Sequence, residues 1–225
     1  MTRARLAHRA GWLALTACVL FALLALWVVR APDHLPPADA ALHRWSVEHR
    51  PAVPSALARI VTHTGTGFVP YALLVLAGIH AGHTVRQRAV TAAALVLCLG
   101  AGQAVRYAVM MLVARPRPAV ADWATQASGW SFPSGHTSTG AMTAGLLIAA
   151  LFLRGSRVPR AAAAAIAVWG ATVGLTRVYL GVHWFTDVLG GWLFATAWLS
   201  LLAFAYLSRT GDRPTAESRG PRAGD

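Results

Sequence analysis

At 225 residues, 56% hydrophobic and only 12% charged, the chain departs from the soluble norm of about 25% charged residues, and composition favours a membrane protein. Its formal net charge is +12, but the 20 basic residues, all arginine, are scattered between apolar runs; without a basic block beside aromatics, no nucleic-acid partner is expected. Cys18 and Cys98 lie inside apolar runs, which excludes a disulfide framework or a zinc site as the organising feature.

Gly11 to Val29 is an uninterrupted apolar run preceded by Arg3, Arg5 and Arg9. At 1.5 Å per residue it is about long enough to cross a hydrocarbon core of ~30 Å. The rival reading is a signal peptide cleaved near Ala38-Asp39-Ala40, but the run exceeds the ~7–15 residues usual for a signal core. A first spanning helix is expected, with Trp12 and Trp27 at its interfaces. Residues 31–65 are mixed and Pro-rich. There, Ala40 to His49 predicts a short amphipathic helix, and Ser55 predicts an N-cap for Ala56 to Thr62. Both are expected on the membrane surface or over the site. Their histidines, His34, His43, His49 and His63, show no ligand spacing and read as solvated or interfacial.

Further apolar runs predict spans over about 67–79, 89–113, 136–153, 161–180 and 184–207, with 11–29 as the first. The expected fold is therefore all-α: a polytopic membrane protein, a six-transmembrane-helix bundle forming one domain over 1–207. Small residues recur at helix-packing spacing in Ala141/Gly145 and Gly170/Gly174, which lets backbones approach in lipid. Residues 208–225, rich in Arg, Gly, Ser, Pro and Asp, read as a disordered cytoplasmic tail.

Six spans would place the N-terminus, the 80–88 and 154–160 loops and the tail on one side. That side carries most of the arginines, among them Arg86, Arg88, Arg154, Arg157 and Arg160, and is expected to be cytoplasmic. Arg115-Pro116-Arg117-Pro118, Pro133-Ser134-Gly135-His136 and the stretch from Thr176-Arg177 to His183 and Asp187 then meet at the extracytoplasmic end.

Those residue types suit a phosphate. Asp187, four residues after His183, can accept a hydrogen bond from one ring nitrogen, leaving the other free to attack phosphorus. His136 follows Ser134 and Gly135 at a helix start, where backbone N–H groups favour anions. Arg117 and Arg177 supply planar, permanently charged donors matched to phosphate oxygens. Taken singly, each piece has a structural reading: a loop anchor, a helix cap, a buried hydrogen bond, an interfacial arginine. Together, at one membrane depth, they read as a site.

These motifs resemble the type-2 phosphatidic acid phosphatase superfamily, integral-membrane lipid phosphate phosphatases related to vanadium haloperoxidases. The family pattern is Lys, six residues, Arg-Pro; then Pro-Ser-Gly-His; then Ser-Arg, five residues, His, three residues, Asp. Here Pro133 to His136 is intact, Thr176 replaces Ser, and Arg117-Pro118 is kept, but the Lys position falls on Met110. The resemblance implies that His183 is the nucleophile, oriented by Asp187. It further implies that His136 is the acid and then the base, and that Arg117, Ser134, Gly135 and Arg177 form the phosphate cradle. No cofactor or metal is implied. Arg106, one helical turn before Met110 and roughly 6 Å away along the axis, is a candidate substitute cation; the alternative is that it is paired elsewhere or lines a polar cavity. The expected function is metal-independent hydrolysis of a membrane lipid phosphate or diphosphate, with polyprenyl diphosphate, phosphatidylglycerol phosphate and phosphatidic acid as candidates. A phosphotransferase or a weak lipid-phosphate-binding relative is the alternative. A transporter is disfavoured, because the polar residues gather at one face rather than at the midplane. The oligomeric state stays open.

Overall fold

The structure, a computed structural model, describes residues 2–30, 35–155 and 159–211. Arg3–Arg30 forms α1, 28 residues long. Its buried positions are Ala7, Ala14, Ala17 and Val28, while Leu13, Leu20 and Leu23 are exposed. Lipid tails are as apolar as leucine, so close packing of small residues, rather than leucine burial, decides which face meets the protein. That face runs antiparallel to α8 (Phe185–Gly211): Phe204 lies against Gly11, and Phe21 meets Phe194 at 6.0 Å.

Two short helices follow. α2 spans Pro37–Glu48 and α3 spans Ala52–Thr64. α3 begins before the expected cap at Ser55, because Pro54 falls within its first turn, where a missing N–H breaks no helical bond. Of the histidines in this stretch, His34 lies outside the described residues. α4 (Phe68–Ala81) is bent by 54° from α3 across the Gly65-Thr66-Gly67 break. At 13 and 14 residues, each is about 20 Å long, too short to cross alone. Among the described residues five helices are long and apolar enough to cross a membrane, six spans if α3 and α4 count as one. The second expected span is therefore half of a bent pair.

α5 (Val85–Val113) opens with a capping box, in which the Thr84 hydroxyl accepts from the Gln87 backbone and the Gln87 amide oxygen accepts from the Thr84 N–H. That box moves the start four residues ahead of the predicted span. α6 (Gly135–Leu153) and α7 (Arg160–Tyr179) pack against each other. A Cβ on Gly170 would lie 2.7 Å from that of Ala144, and one on Gly174 2.8 Å from the Thr137 methyl. Leu74, Leu99, Met142 and Phe194 form the apolar centre shared by α4, α5, α6 and α8. The last helix reaches Gly211, so residues 208–211 of the expected tail are helical. The remainder, 212–225, lies outside the described residues.

The C-terminal ends of α5 and α7 and the N-terminal ends of α6 and α8 share one end of the bundle, as their hydrogen bonds across Arg115, Ser131, Ser134 and Asp187 require. Arg154 donates to the His80 carbonyl at the opposite end. Among the described residues every regular element is helical.

Candidate active site

α7 ends at Tyr179 and α8 begins at Phe185, leaving His183 in the connection rather than on a helix face. Gly181 (φ +72°) makes that turn, and its missing Cβ leaves room for the Asp122 carbonyl, which a side chain would approach to 2.5 Å. Asp187 is the third residue of α8, and its Oδ2 accepts the Trp184 N–H at 2.9 Å, as the third residue of a capping box does. The same Oδ2 lies 3.2 Å from His183 Nδ1.

Arginine can only donate, so the 2.8 Å contact between Arg117 Nη1 and His183 Nε2 assigns the lone pair to Nε2. The proton then sits on Nδ1 and is donated to Asp187. Burial, and after it the Arg117 and Arg177 charges, holds His183 well below the ordinary histidine range. The ring is neutral at pH 7, with an in-plane lone pair on Nε2.

Arg117 behaves differently from the simple expectation of a phosphate ligand. Its Nε donates to Gly129 O, its Nη2 to Ser128 O and Trp130 O, and its Nη1 also to Val182 O. The guanidinium thus clamps loop 128–130 and Val182 around the histidine. Among the described residues no carboxylate pairs with it directly, so its charge remains available to an anion, and Nη1 is the donor that meets His183 Nε2. Burial lowers its pKa first, Asp187 opposes that, and Arg106 adds to the lowering.

Arg177 is 2% exposed. Its Nη1 donates to Thr62 at 3.1 Å, and its Nε is buried with no hydrogen-bond partner among the described residues. Arg106 packs its guanidinium over Gly135, 3.5 Å from where a Cβ would stand. It donates to Gln103 Oε1 and to Met110 Sδ. Gln103 in turn donates to Thr139, whose hydroxyl donates to the Gly135 carbonyl. Met110, at the expected lysine position, is buried beneath this group.

One cavity of about 660 Å³ is lined by Arg106, Arg117, Gly135, His136, Arg177 and His183, with Met110 below and Tyr107 and Met111 among its walls. Six of the eight expected residues therefore share one space. Ser134 and Asp187 do not line it. Ser134 is fully buried, its Oγ accepting from Thr137 and its N–H donating to the Asp187 carbonyl. It fixes the turn ahead of Gly135 rather than facing the cavity. Asp187 stands behind His183. Among the described residues, no three His, Cys, Asp or Glu come together as metal ligands. The lining holds three guanidinium groups and two imidazoles but no carboxylate, so it favours an anion over a cation.

Sequence reading missed the support behind His183. Arg115 donates to Asp187 Oδ1, to Thr186 Oγ1 and to Asp39 Oδ2. Asp39 comes from α2, outside the three motifs. A signal was available, since the chain has only 8 acidic residues and an acidic residue beside apolar spans asks for a partner.

The PAP2 superfamily pattern matches residues 91–210. Phosphatidylglycerophosphatase B of Bacillus subtilis (strain 168) is 32% identical over 160 residues, 68% of this chain and 76% of that protein. Lipid A 1-phosphatase of Rhizobium johnstonii is 42% identical over 81 residues, 36% of this chain but only 30% of that protein. The crystal structure of the first transmembrane PAP2 type phosphatidylglycerolphosphate phosphatase from Bacillus subtilis superposes with a TM-score of 0.69. The identity is 26%, covering 90% of this chain and 98% of that one.

Proposed function

This chain belongs to the PAP2 superfamily, and from that premise we propose that it is a metal-independent phosphohydrolase of membrane lipid phosphates or diphosphates, acting through a phosphohistidine. The observation that carries this is a neutral His183 whose Nε2 lone pair faces a cavity bearing Arg106, Arg117 and Arg177 and no carboxylate.

In the first step Nε2 of His183 attacks phosphorus and the bond to the lipid (or terminal diphosphate) oxygen breaks. His136, on the same cavity, enters this step as the imidazolium beside the bound phosphate, gives one proton to that leaving oxygen and becomes neutral. The phosphorylated ring keeps its proton on Nδ1 and is positively charged, which Asp187 stabilises across the 3.2 Å contact. In the second step His136 takes a proton from water, the water oxygen attacks phosphorus, and the P–N bond breaks to return neutral His183 and inorganic phosphate. Arg177 and Arg106 meet the phosphoryl oxygens throughout, with Arg117 turning Nη1 toward them. Such preorganised donors are worth about 2.7–4 kcal/mol each where charge develops. Gly135, opening α6, offers its backbone N–H to the same oxygens, and Ser134 holds that turn in place.

Phosphatidylglycerol phosphate, phosphatidic acid and polyprenyl diphosphate are the candidate substrates, their tails leaving over Tyr107 and Met111, which are exposed on α5. The site is assigned to the extracytoplasmic end, with both termini cytoplasmic, from the arginine asymmetry of the connections. A weak lipid-phosphate-binding relative is the second reading, favoured by Met110 and by the carbonyls that engage Arg117. The deciding assay is phosphate release in detergent, with EDTA, from dioleoyl phosphatidic acid, dioleoyl phosphatidylglycerol phosphate and undecaprenyl diphosphate. Release that persists in EDTA and falls by about 10³-fold or more in His183→Ala is expected for a nucleophile. Binding of these lipids without release by the wild type would establish the second reading instead.

A further inference from the structure

Asp39 lies in the first turn of α2, its side chain wholly shielded from solvent, yet no step above uses it. Its Oδ1 accepts the Thr186 N–H at 2.8 Å, and its Oδ2 accepts the Thr186 hydroxyl at 2.6 Å and Arg115 Nη2 at 2.9 Å. Thr186 is the second residue of α8, so its N–H has no partner within the helix. A carboxylate from another helix therefore caps α8 three residues after the nucleophile.

The charges are arranged to act on that nucleophile. Arg115 stands between two buried carboxylates, Asp39 on Nη2 and Asp187 on Nη1. One guanidinium neutralises only one of them, so the unit keeps a net negative charge, and Asp187 presents it to His183 Nδ1. Without Asp39, Arg115 would become the counterion of Asp187 alone, and Asp187 would attract the phosphorylated ring less. The cap would also be lost, freeing the first turn of α8, which carries Asp187. Burying such a group of charges is expensive and is a weak way to stabilise a fold; a tether for α2 does not require it.

We propose that Asp39 is a positioning residue for the His183–Asp187 pair, acting through Arg115 and Thr186. This rests on the phosphohistidine reading. The test uses the full chain in detergent with the three lipids named above, and measures kcat and KM for whichever the wild type cleaves fastest. Asp39→Asn should lower kcat by about 10- to 100-fold with KM changed less than about threefold, since the phosphate cradle is untouched. Thr186→Val, which keeps shape and removes the bridging hydroxyl, should lower kcat by about three- to tenfold, and carries the comparison if Asp39→Asn does not fold. Glu48→Gln, exposed on the same helix, should leave kcat unchanged.

A coupling cycle separates positioning from general support. In an Asp187→Asn background, Asp39→Asn or Thr186→Val should change kcat by less than about twofold, because the group they act through is already gone. Equal fold-losses in both backgrounds, or an Asp39→Asn enzyme within twofold of wild type, would overturn the inference. Absence of wild-type release, or release that survives His183→Ala, would overturn the phosphohistidine reading and this inference with it. That outcome is read from wild type and His183→Ala alone, so the two failures are distinct.

Discussion

Arg115 and Arg117, separated by one proline, serve opposite sides of His183. Arg115 stands behind it on Asp187, and Arg117 stands in front on Nε2. The third cation of the cavity, Arg106, stands one helical turn before the position at which the motif has lysine. Met110 cannot supply charge, but its sulfur accepts from Arg106, and Gln103 holds the other side of that guanidinium against Gly135. If Arg106 acts as the missing lysine, Arg106→Ala will lower kcat/KM by about 10²- to 10³-fold, the loss of a donor at developing charge. Met110→Lys in that background will restore at least part of it, because the ammonium would reach the same oxygens from the neighbouring turn. Steady-state kinetics on the preferred lipid decides both.

The titration of His183 has a definite sign. Its native pKa is held well below 6.5 by burial and by Arg117 and Arg177, whereas in the unfolded chain it protonates near 6.5. Below about pH 6.5 the unfolded chain therefore binds more protons, and the contribution of His183 to stability is lost as pH falls toward the native value. Nitrogen NMR of labelled protein in detergent should show His183 still neutral, with its proton on Nδ1, at pH 5.5. A ring titrating near 6.5 would remove the basis for the free lone pair.

At the scale of helices, small residues decide what packs. A valine at Gly170 would press on the Ala144 methyl and the Gly140 carbonyl, and overpacking of this kind costs about 1–3 kcal/mol. Gly170→Val should accordingly lower the thermal midpoint in detergent, while an alanine-to-valine change at the exposed Ala101 should leave the midpoint nearly unmoved, its stability within about 0.5 kcal/mol of wild type. The Gly170/Gly174 spacing was legible in sequence because in lipid close approach needs small side chains at fixed intervals. So were the long spans and the residues at their ends, since a polar group bordering an apolar run is visible without a structure. The bend between α3 and α4 was not legible, because hydropathy averages over a break of three residues. Neither was the Asp39 contact: its partners Arg115 and Thr186 are 76 and 147 residues away, and no periodicity reports a pairing at that distance. The Nη donors of Arg117, turned to backbone carbonyls, were hidden for the same reason, since loop 128–130 carries no pattern to foretell its path.

Across the whole molecule, what matters is which face of the membrane holds the cavity. The site lies where α5 and α7 end and where α6 and α8 begin, with Arg154 and His80 at the other end. The helix ends and turns at that other end carry Arg86, Arg88, Arg154 and Arg160. Positive charge in short connections is retained on the cytoplasmic side, so a substrate would be met from the opposite, outer leaflet. Cysteine labelling reads this directly. After replacement of Cys18 and Cys98 by alanine, a cysteine at Val120, which is 72% exposed beside the site, should react with a membrane-impermeant maleimide in intact cells. A cysteine at Val85, 83% exposed at the start of α5, should react only after the cells are opened. The reverse pattern would place the cavity in the cytoplasm. It would leave the chemistry of His183 untouched but make the inner leaflet its source of lipid phosphates, which would exclude any substrate displayed only on the outer face.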